Sequence, residues 1–124
     1  MGINLNLPIE YVYSSLRQFS ENEHHVKRIC KENVLLLVFE GVLRFSEDGK
    51  EQEVRSGEYY IQHYNGFQDG IIASDKPRYL FVHFRAEWDE NDDRLAYRGT
   101  YSFNNMKNLI FELDKLVFNK APRF

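Results

Sequence analysis

The stretch from Asn33 to Gln62, NVLLLVFEGVLRFSEDGKEQEVRSGEYYIQ, constrains the fold more than any other part of the chain. Its apolar run, Val34 to Phe39, is too short to cross a membrane and is rich in residues that favour extended backbone. Glu40-Gly41 breaks the run, and Val42 to Phe45 resumes it. Asp48-Gly49 reads as a hairpin turn, because both residues tolerate positive φ. Glu51 to Arg55 returns as a strand, and Ser56-Gly57 turns the chain into Glu58-Tyr59-Tyr60-Ile61. The pattern predicts four short strands in an antiparallel meander. Such a unit buries its apolar face only against further strands.

The flanks supply them. Glu10 to Phe19 alternates as a first strand, with Tyr11, Tyr13 and Ser15 on one face. Val26 to Lys31 is a short strand, Phe67 to Ala73 an extended segment, and Arg78 to Arg85 the last clear strand. Met1 to Pro8 reads as a loose arm that either frays or lies across a pocket. Residues 95–103 carry no clear period. Beyond them Met106, Leu109, Ile110, Leu113, Leu116 and Val117 recur at helical spacing, with Asn104 or Asn105 as cap and Asn119 and Pro122 as the stop. The expected fold is mainly β, a sandwich or small barrel over residues 1–103, followed by one amphipathic helix over residues 104–120 of the same domain.

At 124 residues the chain has the length of one domain. A net charge of −3 without a basic cluster argues against direct contact with DNA or RNA. Cys30 is the single cysteine, so neither an internal disulfide nor a cysteine zinc site is available. The N-terminus has no basic segment leading a long apolar one, and Asn6 stands where myristoylation needs Ser or Thr. These features predict a cytoplasmic protein with no membrane partner.

Phe39-Glu40-Gly41, Asp48-Gly49-Lys50-Glu51 and Ser56-Gly57-Glu58 together resemble the cupin pattern of two glycine turns around a strand pair. Tyr64-Asn65-Gly66-Phe67-Gln68 sits where cupins turn before a histidine or glutamine. Asp75-Lys76-Pro77-Arg78-Tyr79 leading into Val82-His83-Phe84 is similar to the sensor domain of AraC-type transcription regulators. The resemblance implies a cupin-like double-stranded β-helix (jelly-roll) barrel and a small-molecule effector, a sugar among the candidates. It also implies a homodimer made through the trailing helix, and DNA binding only through a fused C-terminal helix-turn-helix domain. The chain ends at Phe124 without such a region, so the expectation is a sensor domain cut from a longer protein, with a stand-alone relative as the alternative. Metal-binding cupins carry a His-x-His before the glycine turn and a later histidine. Here no histidine falls between Asn33 and Glu40, and the later position is Gln68. Adjacent His24 and His25 would point to opposite faces of a strand. No metal, no cofactor and no catalytic residue are therefore expected. The alternative is a small cupin enzyme, an isomerase or dioxygenase, which needs a metal or an acid–base pair.

Strand alternation puts Tyr79, Phe81 and His83 on one face and Leu80, Val82 and Phe84 on the other. If the first set faces inward, its rings stack on a ligand, and His83 or the Tyr79 hydroxyl orients it. If outward, Tyr79 and His83 meet solvent, or His83 is a structural histidine bonded to backbone. Gln68 offers an amide to the pocket or is a turn residue. Arg28 meets an anionic or hydroxylated ligand, or forms a surface ion pair with one of the nineteen acids. Tyr11 and Tyr13 line the pocket or fill the core, and Cys30 is a small buried hydrophobe. The apolar stripe Leu109, Leu113 and Leu116 is broad enough both to pack on the β-structure and to pair with a second copy.

Overall fold

The structure, a computed structural model, describes residues 1–120, with side chains through Lys115. Where four short strands were expected from Asn33 onward, three form. Strand β4 (Asn33–Glu47) runs unbroken for 15 residues, so Glu40-Gly41 is not a turn. It is preceded by β1 (Gly2–Ile3), β2 (Glu10–Gln18) and β3 (Arg28–Ile29). It is followed by β5 (Lys50–Arg55), β6 (Glu58–Gln62), β7 (Phe67–Asp69), β8 (Asp75–Arg85), β9 (Trp88–Asp89), β10 (Arg98–Thr100) and α1 (Phe103–Lys120). Asp48-Gly49 and Ser56-Gly57 do turn the chain, with Asp48, Gly49 and Gly57 at positive φ.

At Gly41 the backbone bends instead of reversing. The register of β4 against β8 slips between Val38 and Glu40 and again between Glu40 and Val42, and Gly41 takes φ of 67°. A Cβ there would lie 2.3 Å from the Asp75 carbonyl oxygen and 2.6 Å from that of Lys76. Glycine is required both for the dihedral and for the close approach of β8. The bend lets β4 serve two sets of neighbours. One edge pairs with β6 through Val34–Leu37 and then with β5 through Val42–Glu47. The other pairs with β8 and then, at Ser46 and Glu47, with β7. Beyond these, β2 pairs with β8, β10 with β6 and β3 with β7, all antiparallel. The pairing path does not return on itself: β2, β3, β5 and β10 each keep one free edge among the described residues. The expected closed barrel is therefore an eight-stranded antiparallel sheet that remains open.

Alternation along β4 divides the interior. Val34, Leu36 and Val38 join Phe45, Val54, Tyr60 and Tyr79 on one face of the sheet. Leu35 and Leu37 join Leu80, Val82 and the helix residues Met106, Ile110 and Leu113 on the other. Ile110 is fully buried there and seats α1. Two polar contacts fasten the helix to β2. Ser14 Oγ donates to the Leu113 carbonyl at 3.2 Å, and Asp114 Oδ1 accepts the Leu16 N–H at 3.0 Å. The second satisfies an edge-strand donor that no further strand among the described residues reaches.

Two readings of the termini change. The arm is anchored at its start: Gly2-Ile3 pairs with Trp88-Asp89, and Ile3 is fully buried beside Ile61 and Phe84. A further partner lies in the stretch without a sequence period, where the Leu95 carbonyl accepts the Ile3 N–H. The helix cap is Ser102, whose Oγ accepts the Asn105 N–H, because α1 begins at Phe103, one residue before the expected start. No helix among the described residues is long and apolar enough to cross a membrane.

Gly41→Ala places a methyl against two carbonyls of β8 and forces an L side chain to positive φ. It is expected to cost about 3 kcal/mol, read as a lowered urea midpoint with an unchanged m-value. An alanine variant as stable as the parent would show that the bend tolerates a side chain.

Candidate functional site

Strands β2 and β8 share two faces. Tyr13, Ser15 and Arg17 stand opposite His83, Phe81 and Tyr79 on the face away from the helix, while Ser14 and Leu16 stand opposite Val82 and Leu80 on the helix side. A register shift between Tyr11 and Tyr13 separates the two tyrosines, which the plain alternation put on one face. Tyr11 turns to the helix side, its hydroxyl 2.8 Å from Ser14 Oγ. Tyr13 turns the other way and stacks on the His83 ring, centroids 4.3 Å apart and 15° from parallel. Phe81 meets both rings edge-on, at 5.9 and 5.7 Å, and the Phe19 ring meets that of Tyr79 at 5.9 Å.

These rings wall a cavity of about 240 Å³, completed by Arg28 from β3 and by His24 and His25 from the loop before it. Arg17 lies along the rim with its guanidinium over the Phe19 ring and ion-paired to Glu23. A wider, more open groove of about 700 Å³ lies elsewhere, between Lys31, His63, Tyr64, Arg85 and Trp88.

Arg28 differs from Arg17. It forms no ion pair among the described residues, which overturns the reading of it as one half of a surface pair. Its Nη2 donates to Gln62 Oε1 at 3.2 Å, and its buried Nε has no hydrogen-bond acceptor among the described residues. Behind it runs a buried chain of amides. Gln62 Nε2 donates to Gln68 Oε1 at 3.1 Å, and Gln68 Nε2 donates to Glu47 Oε2 at 2.6 Å. Glu47 also accepts the Tyr60 hydroxyl at 2.7 Å and the His63 N–H at 3.2 Å. The chain fixes the direction of both glutamines and leaves the positive end, Arg28, at the cavity wall.

Two of the histidines, His25 and His83, are shifted toward the neutral form. His25 Nδ1 lies 2.7 Å from the Val26 carbonyl and must carry the proton, so Nε2 accepts from Gln62 Nε2 at 3.2 Å. Burial pushes its pKa down to about 4, with the Arg28 charge acting in the same direction against the pull of the Val26 carbonyl. His83 is shifted down by burial and by Arg28, although its Nδ1 is hydrogen-bonded to Glu32 Oε1 at 2.9 Å. Burial raises Tyr79 to about 12 in spite of Arg17 and Arg28. At neutral pH His25, His83 and Tyr79 are uncharged, and Arg28 stands in the wall with no ion pair among the described residues.

Of the residues singled out by sequence, Arg28, Tyr79, Phe81 and His83 come together at this cavity. His83 is bonded to a carboxylate, not to backbone. Gln68 stands behind the wall, fully buried, with both ends of its amide engaged. Leu113 packs inward with Ile110, whereas Leu109 is half exposed; the Leu116 side chain lies outside the described residues. Of the two places the sequence left open for Tyr13, pocket wall and core, it takes the wall, and His25, given no role by sequence, joins it. The signal for Tyr13 was available in its pairing with β8, once the register shift is known. His25 carries none, because its place depends on a loop folding under β7. Among the described residues no three His, Cys, Asp or Glu side chains group to hold a metal ion. No known protein-family profile matches the chain, and no curated protein matches it.

His25 gives a pH dependence whose sign follows from its environment. The native state holds it neutral, with a pKa near 4 against 6.5 unfolded, so its contribution is complete above pH 6.5 and is lost as pH falls toward 4. Over that window wild type should lose about 3 kcal/mol more than His25→Gln, measured by urea unfolding at each pH. Parallel pH profiles for the two proteins would show that His25 is already charged in the native state.

Proposed function

We propose that this chain is a small-molecule-sensing and dimerisation module of the kind found in AraC-type transcription regulators, its open sheet a variant of the cupin-like jelly roll. One observation carries the reading. Strand β2 offers alternate residues to two different tasks: Tyr13 and Arg17 wall the cavity, while Ser14 and Leu16 hold α1. A ligand that draws in Tyr13 and Arg17 must move or stiffen the strand to which the helix is fastened. The helix in turn presents Leu109 and Phe111 to solvent, apolar surface suited to a second copy of the chain. Occupancy of the cavity then biases one arrangement of strand and helix over another, and a fused helix-turn-helix domain reads the result. In this reading the chain catalyses nothing.

A thermal-shift panel of monocarboxylates, sugars and nucleosides identifies a ligand, and amide exchange follows its effect. The expected outcome is slower exchange at the Leu16 N–H and across residues 106–115, although these residues do not touch the cavity. Asp114→Ala is expected to cost about 1 kcal/mol, to keep ligand affinity within twofold and to abolish the protection of the helix. Protection confined to the cavity, or a panel in which nothing stabilises the chain, would overturn the sensing reading.

A further inference from the structure

We propose that the cavity binds a small monocarboxylate with one flat ring, its carboxylate held by Arg28 and its ring lying among Tyr13, Phe81 and Tyr79. The inference rests on the sensing reading for the identity of the site and adds the chemistry of the ligand. Charge is the first argument. The carboxylates nearest the cavity are each committed elsewhere. Glu23 is paired with Arg17 and also accepts the Ser20 N–H. Glu32 is held by His83, Asp69 accepts the Gly70 N–H, and Glu47 is held by Tyr60, Gln68 and the His63 backbone. Among the lining residues Arg17 is paired with Glu23, whereas Arg28 has no carboxylate partner among the described residues. A carboxylate accepts guanidinium N–H groups as a planar fork.

The second argument is which hydrogen bonds remain. A neutral sugar is rich in hydroxyl donors and needs acceptors around it. Here Gln62 Oε1, Gln68 Oε1 and His25 Nε2 already accept from within the protein. The buried amide chain is complete without a ligand; Arg28 is the member that is not. Size is the third. A volume of about 240 Å³ equals the liquid share of about eight waters, which suits a body of about ten non-hydrogen atoms. Tyr13 meets Phe81 edge-on and Phe19 meets Tyr79 in the same way, and a flat ring continues that packing.

Calorimetry on the whole chain with benzoate, benzamide, D-glucose and D-xylose tests this. Benzamide keeps the ring and the shape and removes the charge. Benzoate is expected to bind at least tenfold tighter than benzamide, and neither sugar to bind. Arg28→Met should weaken benzoate about ten- to a hundredfold, leave benzamide within twofold and leave the melting temperature unchanged or raised. Arg28→Lys, which keeps the charge without the fork, should fall between wild type and Arg28→Met. Equal binding of benzoate and benzamide overturns the carboxylate subsite. Binding of a sugar without benzoate also overturns it, yet leaves the sensing reading intact. If benzoate fails and nothing in the wider panel stabilises the chain, both fall together.

Discussion

The bend in β4 is the constraint from which the rest of the architecture follows. A straight strand of 15 residues would have one neighbour on each edge; bent at Gly41, it hydrogen-bonds to β5 and β6 along one edge and to β7 and β8 along the other. That doubling puts the first half of the strand beside β8, and through it β2, and the second half beside β7, and through it β3. The cavity opens between these two branches. Tyr79, Phe81 and His83 come from one, Arg28 from the other, and Leu36 of β4 itself lies on the wall between them. The glycine is required by contact as much as by conformation, since the carbonyls of Asp75 and Lys76 occupy the space a methyl group would fill.

A charged group set into an apolar wall needs support from behind. Here it comes from dipoles instead of a counter-ion. Two glutamines, both fully buried, pass a continuous line of hydrogen bonds from Arg28 to Glu47, so the carboxylate that balances the guanidinium stands two amides away. Placed in direct contact, the pair would quench each other and the cavity would present no net charge. Separated, the negative end is buried and fully engaged while the positive end remains at the wall. Burial keeps His25 neutral, and the same arrangement uses that form, because Gln62 needs its Nε2 as an acceptor.

Strand β2 links this chemistry to the helix. No further strand among the described residues pairs with its outer edge, and an exposed edge must be covered or blunted. The last described turns of α1 cover it, with Asp114 taking one of its N–H groups and Leu113 the Ser14 hydroxyl. The requirement to finish an edge thus becomes a mechanical connection between the cavity wall and the face that carries Leu109.

The sequence by itself determined the class of the fold and much of one cavity wall. Asp48-Gly49 and Ser56-Gly57 mark turns because positive φ is a local property. The 3.6-residue period from Met106 marks a helix because its apolar stripe is local as well. The alternation of Tyr79, Phe81 and His83 likewise needs only the pleat of a strand. What it could not determine were features set by a distant partner. Gly41 looks like a turn glycine until Asp75 closes on it. Ile3 looks frayed until Leu95 accepts its N–H, and Tyr13 looks paired with Tyr11 until the register against β8 slips between them. Arg28 is the sharpest case: nineteen acidic residues in the chain make an ion pair the natural guess. Only the packing of β3 against β7, with Gln62 and Gln68 behind it, leaves the guanidinium without one. Local geometry is written in neighbours along the chain; charge compensation is written in neighbours across space.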